Sequence, residues 1–243
     1  MKFGKLPKKS DFRTLKMSKY LTVDLPPSPA SYDSLNEVYK ETNLSDPKIL
    51  FPMDGNDLYG DCVVAALAHA ITVFRGMVAQ QRIMNSRSVI DRYFTLTGGD
   101  DSGLNILDTL NYWRHKSVAG DEILAYVSLD LLNHEHVKQA CLLFGGVFLG
   151  FIVQKDAIKD FDARKPWTPG PTLNSGHCVF VTGYDEQGVN VLTWGNTQRG
   201  TWEWFDSCCD EAYALLPPEA NLPGFSEGFD FATLQEDLKL VEN

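Results

Sequence analysis

No run of apolar residues in this 243-residue chain approaches the length that crosses a bilayer. Its basic start, Met-Lys-Phe-Gly-Lys-Leu-Pro-Lys-Lys, leads into no apolar segment of the kind that follows in a secretory signal. Cysteine is sparse and odd in number, five in all, which excludes a disulfide-stapled scaffold and fits a reducing, cytoplasmic setting. Adjacent Cys208 and Cys209 are too close for an unstrained bridge. Histidine is equally sparse, and His134 and His136, two positions apart on an expected helix, point away from each other, so no metal pair is expected there. There is no internal repeat. Positive charge is in the minority, with 22 Lys and Arg against 32 Asp and Glu. The first twenty residues hold seven bases and one acid, or +6, so the net −10 leaves −16 for the rest. A body of that charge repels nucleic acid and anionic membranes and favours basic or neutral ligands over acidic ones.

What remains is an ordinary globular composition, 44% hydrophobic and 22% charged, in one domain of sufficient size to bury a core. Residues 1–48 read as an extended arm around Leu25-Pro-Pro-Ser-Pro29, with a short helix near Ser34–Tyr39 and a basic end taken as a solvated tail wrapping the outside. The domain proper spans 49–216. Helices are expected at Cys62 onward, Ser88–Leu96, Asn105–His115 and Asn133–Phe144, and strands at Glu122–Ser128, Val147–Val153, His177–Tyr184, Val189–Thr193 and Ala212–Leu216. Residues 217–243 form an acidic tail, proline-rich at its start and helical near Phe231–Leu240.

One stretch organises the chain: Asn56-Asp-Leu-Tyr-Gly-Asp-Cys62-Val-Val-Ala-Ala-Leu-Ala-His-Ala70. Beyond Cys62, Val63, Ala66, Leu67, Ala70, Ile71 and Phe74 recur at helical spacing, and Asp61 is a natural N-cap. A thiol in the first helical turn meets unpaired N–H groups and the positive end of the helix dipole, which favours thiolate. The plainer alternative is a small buried hydrophobe. Far downstream, Gly176-His177-Cys-Val-Phe-Val-Thr-Gly-Tyr-Asp185 is an apolar strand opened by a histidine. A turn at Asp185–Gly188, a returning strand Val189–Thr193 and then Trp194-Gly195-Asn196 follow. A helix-leading cysteine with a distant strand histidine is the layout of thiol hydrolases.

The order and spacing of Asn56, Cys62, the strand Phe144-Gly-Gly-Val-Phe-Leu-Gly150, His177 and Trp194-Gly195 resemble the papain-like cysteine peptidases over roughly residues 50–216. The Gly-Asp-Cys sequence, in place of the wider family's Gly-Ser-Cys-Trp, is similar to papain-like proteins of bacteria and their phages, and the disulfide partner near the nucleophile is absent. The resemblance implies an α+β fold in which a Cys-led helical half packs on an antiparallel β-sheet or barrel half. It implies Cys62 as nucleophile and His177 as general acid and base. Asn56 stands at the oxyanion-hole position, one methylene shorter than the family's glutamine; Asp57 or a backbone N–H is the alternative donor. The family's histidine-orienting asparagine falls on Thr193, with Asn196 as the second candidate and a Cys–His dyad as the third possibility. His69 shares the Cys62 helix but lies about 10 Å along its axis, out of reach.

Papain-like enzymes often carry a propeptide in the cleft; this arm is shorter and less helical than most, and no zymogen is expected from it. The implied activity is hydrolysis of peptide or isopeptide bonds through an acyl-thioester, with no cofactor and no metal. The alternatives are acyl transfer to an amine, and a binding or structural module that retains the fold with little turnover. The implied partner is a peptide or protein, and neither nucleic acid nor membrane.

Overall fold

Between Cys62 and Met77, fourteen of sixteen residues are buried, and a helix apolar on all sides has to sit inside a domain. In the computed structural model, which describes residues 1–22, 25–80, 82–118, 120–218 and 228–241, that helix is the spine of one half. Around it are α1 (Leu35–Thr42), α2 (Pro47–Leu50), α4 (Ser86–Leu96) and α5 (Ile106–His115), the spine itself being α3 (Cys62–Met77). Asparagine caps start the two amphipathic members. Asn85 accepts from Arg87 and Ser88 N–H, and Asn105 from Asp108 N–H.

The other half is an antiparallel sheet. Its strands are β1 (Tyr32–Asp33), β2 (Ala125–Ser128), β3 (Val147–Gln154), β4 (Thr172–Asp185), β5 (Gly188–Thr193), β6 (Asn196–Thr201) and β7 (Cys209–Leu216), with the order β2-β7-β3-β4-β5-β6 and β1 on β4. The period of two divides its side chains between two cores. Phe148, Cys178, Phe180, Leu192, Tyr213 and Leu215 pack with α3, α4 and α5. Leu149, Val179, Val181, Val191 and Ala214 face the opposite core with α6 (His134–Phe144), α8 (Trp202–Cys208) and α9 (Phe231–Val241), while α7 (Ala157–Asp162) follows β3. Both faces are covered, so the strands read as near-continuous apolar runs.

Most expected elements stand within a few residues of their places, including the Asn133 cap of α6, which accepts from Glu135 N–H. The start of the tail, 219–227, lies outside the described residues. Its helix does not hang free: Leu234 is buried, and Tyr20 donates to Asp237 at 2.6 Å.

The arm departs from its expected course. Residues 1–48 do not wrap the outside. Met17, Tyr20, Leu35 and Val38 are core residues, β1 extends the sheet, and the first seven residues enter the groove between the two halves. Lys5 bridges Leu104 in parallel and Gly176 antiparallel. The reason is steric as well as hydrogen-bonded, for Gly4 crosses Gly60 so closely that a Cβ on it would lie 1.7 Å from the Gly60 carbonyl oxygen.

Candidate active site

Cys62 is the first residue of α3 and is 1% exposed. As a first-turn residue its own N–H has no partner within the helix. Asp61 occupies the N-cap position but makes no side-chain cap bond. Its carboxylate turns inward against Gly55, where a Cβ would stand 2.8 Å from Oδ2. Burial pushes that carboxyl up to about 8. The expected capping bond is therefore absent, and the helix starts on backbone geometry alone.

His177 sits on β4, fully buried. Its Nε2 is 2.8 Å from Thr193 Oγ1, and Nδ1 has no hydrogen-bond partner. Trp194 stacks on the imidazole at 4.7 Å and 23°, while Phe3 and Phe151 meet it edge-on at 5.8 and 5.6 Å. The tryptophan is held there at a backbone cost. Trp194 and Gly195 are the two central residues of the β5–β6 hairpin, with φ of 47° and 70°, the signature of a primed two-residue turn. A bulky residue at positive φ costs about 1–3 kcal/mol, and such strain persists where the surroundings over-determine it. The same turn places Thr193 and Asn196 opposite each other on their strands. They diverge in use: Asn196 Oδ1 accepts from the adjacent Thr197 N–H at 2.9 Å, and His177 is held by Thr193.

The thiol and the imidazole are linked through the backbone of β4. Hydrogen bonds from the backbone of Gly4 and of Cys178, the residue after His177, favour the Cys62 thiolate. Burial outweighs them and pushes the thiol up to about 11. Burial likewise pulls His177 down to about 3. The lowered thiol pKa expected from the helix terminus is thus overturned here, because the arm closes the groove and removes the water that would solvate the ions. Both groups are neutral in this state.

Asn56 is buried, and its Nδ2 donates to two carbonyl oxygens, Lys2 and Tyr59, each at 3.3 Å. Its own carbonyl accepts from Lys2 N–H at 2.9 Å. The arm's further bonds run along both walls. Leu104 N–H donates to Gly4 O at 2.8 Å, Leu6 N–H to Leu104 O at 2.9 Å, and Lys5 N–H to Gly176 O at 3.2 Å. Asn105 Nδ2 holds Pro7 O at 2.8 Å. Lys5 is the residue that sequence reasoning missed. Its side chain is completely buried, with Nζ 2.8 Å from Asp210 Oδ2 and 3.1 Å from Glu211 Oε1. The only sequence signal was an acidic pair in β7 and a basic arm two hundred residues earlier.

Three of the other four histidines, His69, His134 and His136, are engaged elsewhere. His69 Nε2 meets Pro52 O at 3.0 Å and Asp54 Oδ2 at 3.5 Å. His134 Nε2 lies 2.6 Å from Asp206, and His136 Nδ1 accepts from Asp130 N–H at 3.3 Å.

A Cys-led helix packed against a strand-borne histidine, with an antiparallel sheet behind it, is the papain-like fold. Among solved structures the chain is similar to xylellain, a cysteine protease from Xylella fastidiosa. That match has 16% identity and a TM-score of 0.61 over 88% of this chain and 95% of that one. It is similar also to procathepsin B of Trypanosoma congolense, with 12% identity and a TM-score of 0.57 over 88% of this chain and 86% of that one. A third is digestive procathepsin L 3 of Tenebrio molitor, with 13% identity and a TM-score of 0.57 over 86% and 75%. No protein-family model and no curated protein sequence matches the chain. Among the described residues, no helix is long and apolar enough to cross a membrane.

Proposed function

We propose that this protein is a thiol hydrolase of peptide or isopeptide bonds, held in a closed state by its own first seven residues. The observation that carries the reading is the imidazole of His177, fixed through Nε2 by Thr193 and left with Nδ1 unpartnered beside the Cys62 helix. A nucleophile is activated by a base that a third group orients, and the 2.8 Å contact of Thr193 Oγ1 with His177 Nε2 supports Thr193 as that group. With the arm withdrawn and water admitted, a proton moves from Cys62 Sγ to His177 Nδ1. The thiolate attacks the substrate carbonyl carbon, an S–C bond forms, and the developing oxyanion is met by the Cys62 N–H and the Asn56 amide. His177 returns its proton to the departing amine as the C–N bond breaks. Water then attacks the acyl-thioester by the reverse sequence. Asn56 already binds a peptide carbonyl, that of Lys2, which supports its assignment as a carbonyl-binding donor. Acyl transfer uses the same thioester with an amine in place of water.

The second reading, a peptide-binding module without turnover, rests on the burial of Cys62 and His177 and on the neutral state that burial imposes. One experiment separates the two. The full chain carrying Gly4→Ala, which opens the groove, is incubated with a mixed peptide pool and Cys62 is examined by mass spectrometry for hydroxylamine-labile acyl adducts. The hydrolase reading expects adducts and cleaved peptides that disappear with Cys62→Ala and fall steeply with His177→Ala. Peptides bound but uncut, with Cys62 unmodified, would establish the binding module instead.

A further inference from the structure

The pocket that receives Lys5 is built for a cation. Glu211 lies on β7 with its side chain 1% exposed. Its Oε2 accepts from Tyr213 OH at 3.1 Å, which leaves Oε1 turned to the ammonium. Asp210 supplies the second carboxylate, and Lys5 Nζ also meets Leu6 O at 3.4 Å. The space for the lysine stem exists because β3 has a glycine where β7 has Glu211. A Cβ on Gly150 would stand 2.2 Å from Lys5 Cε and 2.8 Å from Glu211 Cγ. Ile106 lines the same point, 2.9 Å from that Cβ. The site thus has an apolar sleeve for four methylenes and two carboxylates at its end.

Burial alone pulls the Lys5 pKa down, yet the Asp210 hydrogen bond and the charges of Glu211 and Asp210 leave it above the usual lysine value. The ammonium is charged. When the arm leaves, that cation leaves too, and Glu211 and Asp210 face the opened groove without their counter-ion. Removing one partner from a closely paired set of charges is unfavourable, and a cation that returns to the site regains the pairing. The empty pocket therefore has a high demand for another positive group on any chain that follows the same track. A neutral side chain would leave that demand unmet, and an acidic one would add repulsion.

We propose that Asp210, Glu211 and Gly150 form a lysine-accepting subsite of the cleft, occupied here by Lys5 and, once the arm is displaced, by the lysine of an extended peptide lying along Leu104 and Gly176. The proposal rests on the groove being the peptide site of the hydrolase reading. It adds what that reading lacks, a determinant of which peptides enter. The strongly acidic balance of the body, −16 outside the first twenty residues, draws the same class of ligand towards the groove.

The test uses the full chain carrying Gly4→Ala and a C-terminally labelled peptide, Met-Lys-Phe-Gly-Lys-Leu-Pro-Lys, read by fluorescence anisotropy and by protection of Cys62 from iodoacetamide. A second peptide has norleucine at its fifth position. The subsite expects the lysine peptide to bind at least tenfold more tightly. Glu211→Gln, and separately Gly150→Ala, whose methyl enters the stem space, should bring the two peptides within about twofold, with circular dichroism unchanged. Equal binding of both peptides by Gly4→Ala, tighter binding of the norleucine peptide, or no binding of either overturns the proposal. Cleavage of the lysine peptide is followed in parallel. Lysine-selective binding without cleavage sinks the hydrolase reading and leaves the subsite standing, and cleavage without lysine selectivity does the reverse.

Discussion

Gly4→Ala is the perturbation that tests the closed state most directly. Gly4 lies against Gly60 with room for a hydrogen and nothing more. An added Cβ would be 1.7 Å from Gly60 O, 2.2 Å from its carbonyl carbon and 2.5 Å from its Cα, all backbone atoms. Neither segment can turn a side chain aside, so the arm must move by more than an ångström. The hold on the arm is not large enough to resist. Six hydrogen bonds tie Met1–Pro7 to the walls. At about 1 kcal/mol each they are worth ~6 kcal/mol. Ordering seven residues at about 1 kcal/mol each costs ~7 kcal/mol. The net hold is then what Lys5 and the partly buried Phe3 contribute, a few kcal/mol. Overpacking against rigid neighbours costs about 3 kcal/mol or more, which is more than a hundredfold in the closed-to-open ratio. The assay is second-order alkylation of Cys62 by iodoacetamide at pH 7.5, located by peptide mapping. Gly4→Ala should label at least tenfold faster than the parent chain. Gly170→Ala, where an added Cβ meets nothing within 4 Å, should label at the parent rate. A folded Gly4→Ala protein that labels no faster would refute the arm as the gate.

Two further outcomes follow from the geometry. In the Gly4→Ala background, Thr193→Ala removes the partner of His177 Nε2. Loss of one such bond, about 1–1.5 kcal/mol, should lower kcat/KM roughly tenfold with little change in KM, and Thr193→Asn should restore most of it. Unchanged kcat/KM in Thr193→Ala would show that Thr193 does not orient the base. Stability should fall on both sides of a plateau. Burial holds Asp54 up to about 7 and Asp61 up to about 8, against 3.8 for the free carboxyl, so the native state keeps protons that the unfolded chain has lost. Their contribution is present at low pH and is lost as pH rises towards 8. Burial lowers His177 to about 3 and His69 to about 4 from 6.5, so their contribution is present above 6.5 and is lost as pH falls. Between about pH 4 and 6.5 the two slopes oppose each other. Tm is expected to be highest there, lower at pH 8, and lower again below pH 4. Asp54→Asn should flatten the alkaline limb, and a Tm that climbs steadily from pH 5 to pH 8 would contradict these assignments.

What was legible in the sequence was local. The apolar spacing after Cys62, the Asn133 cap and the alternation around Val179 each act over a few residues, and each gave its element in place. Thr193 came from the resemblance, as the position on which the family's asparagine falls, and the structure sets it beside a two-residue turn. Once Trp194 and Gly195 are the turn, Thr193 closes one strand and Asn196 opens the next. What was not legible depends on contacts far apart in the chain. Nothing near Lys5 announces Leu104, Gly176 or Glu211, and a glycine between Phe3 and Lys5 means little until Gly60 lies across it. Asp61 failed for a related reason: a good cap residue by type, it was drawn inward against Gly55, a choice made by packing and not by propensity.

The same distinction explains why the Cys62 expectation inverted. A helix N-terminus favours thiolate only to the extent that the ion is also solvated or paired, and both conditions depend on what fills the groove. With Phe3 against His177 and Gly4 beside the thiol, both groups are shielded from solvent, and burial separates the two pKa values in the direction that keeps both uncharged. Withdrawal of the arm would admit water to the thiol and imidazole together and leave the helix terminus and the Cys178 N–H still in place. The terms that favour thiolate would then act without the burial that masked them. On the proposed hydrolase reading, blocking of the cleft and suppression of the Cys62 thiolate are thus one event, and a peptide that displaces Lys5 from its carboxylates would also restore the charge state that the proposed chemistry requires.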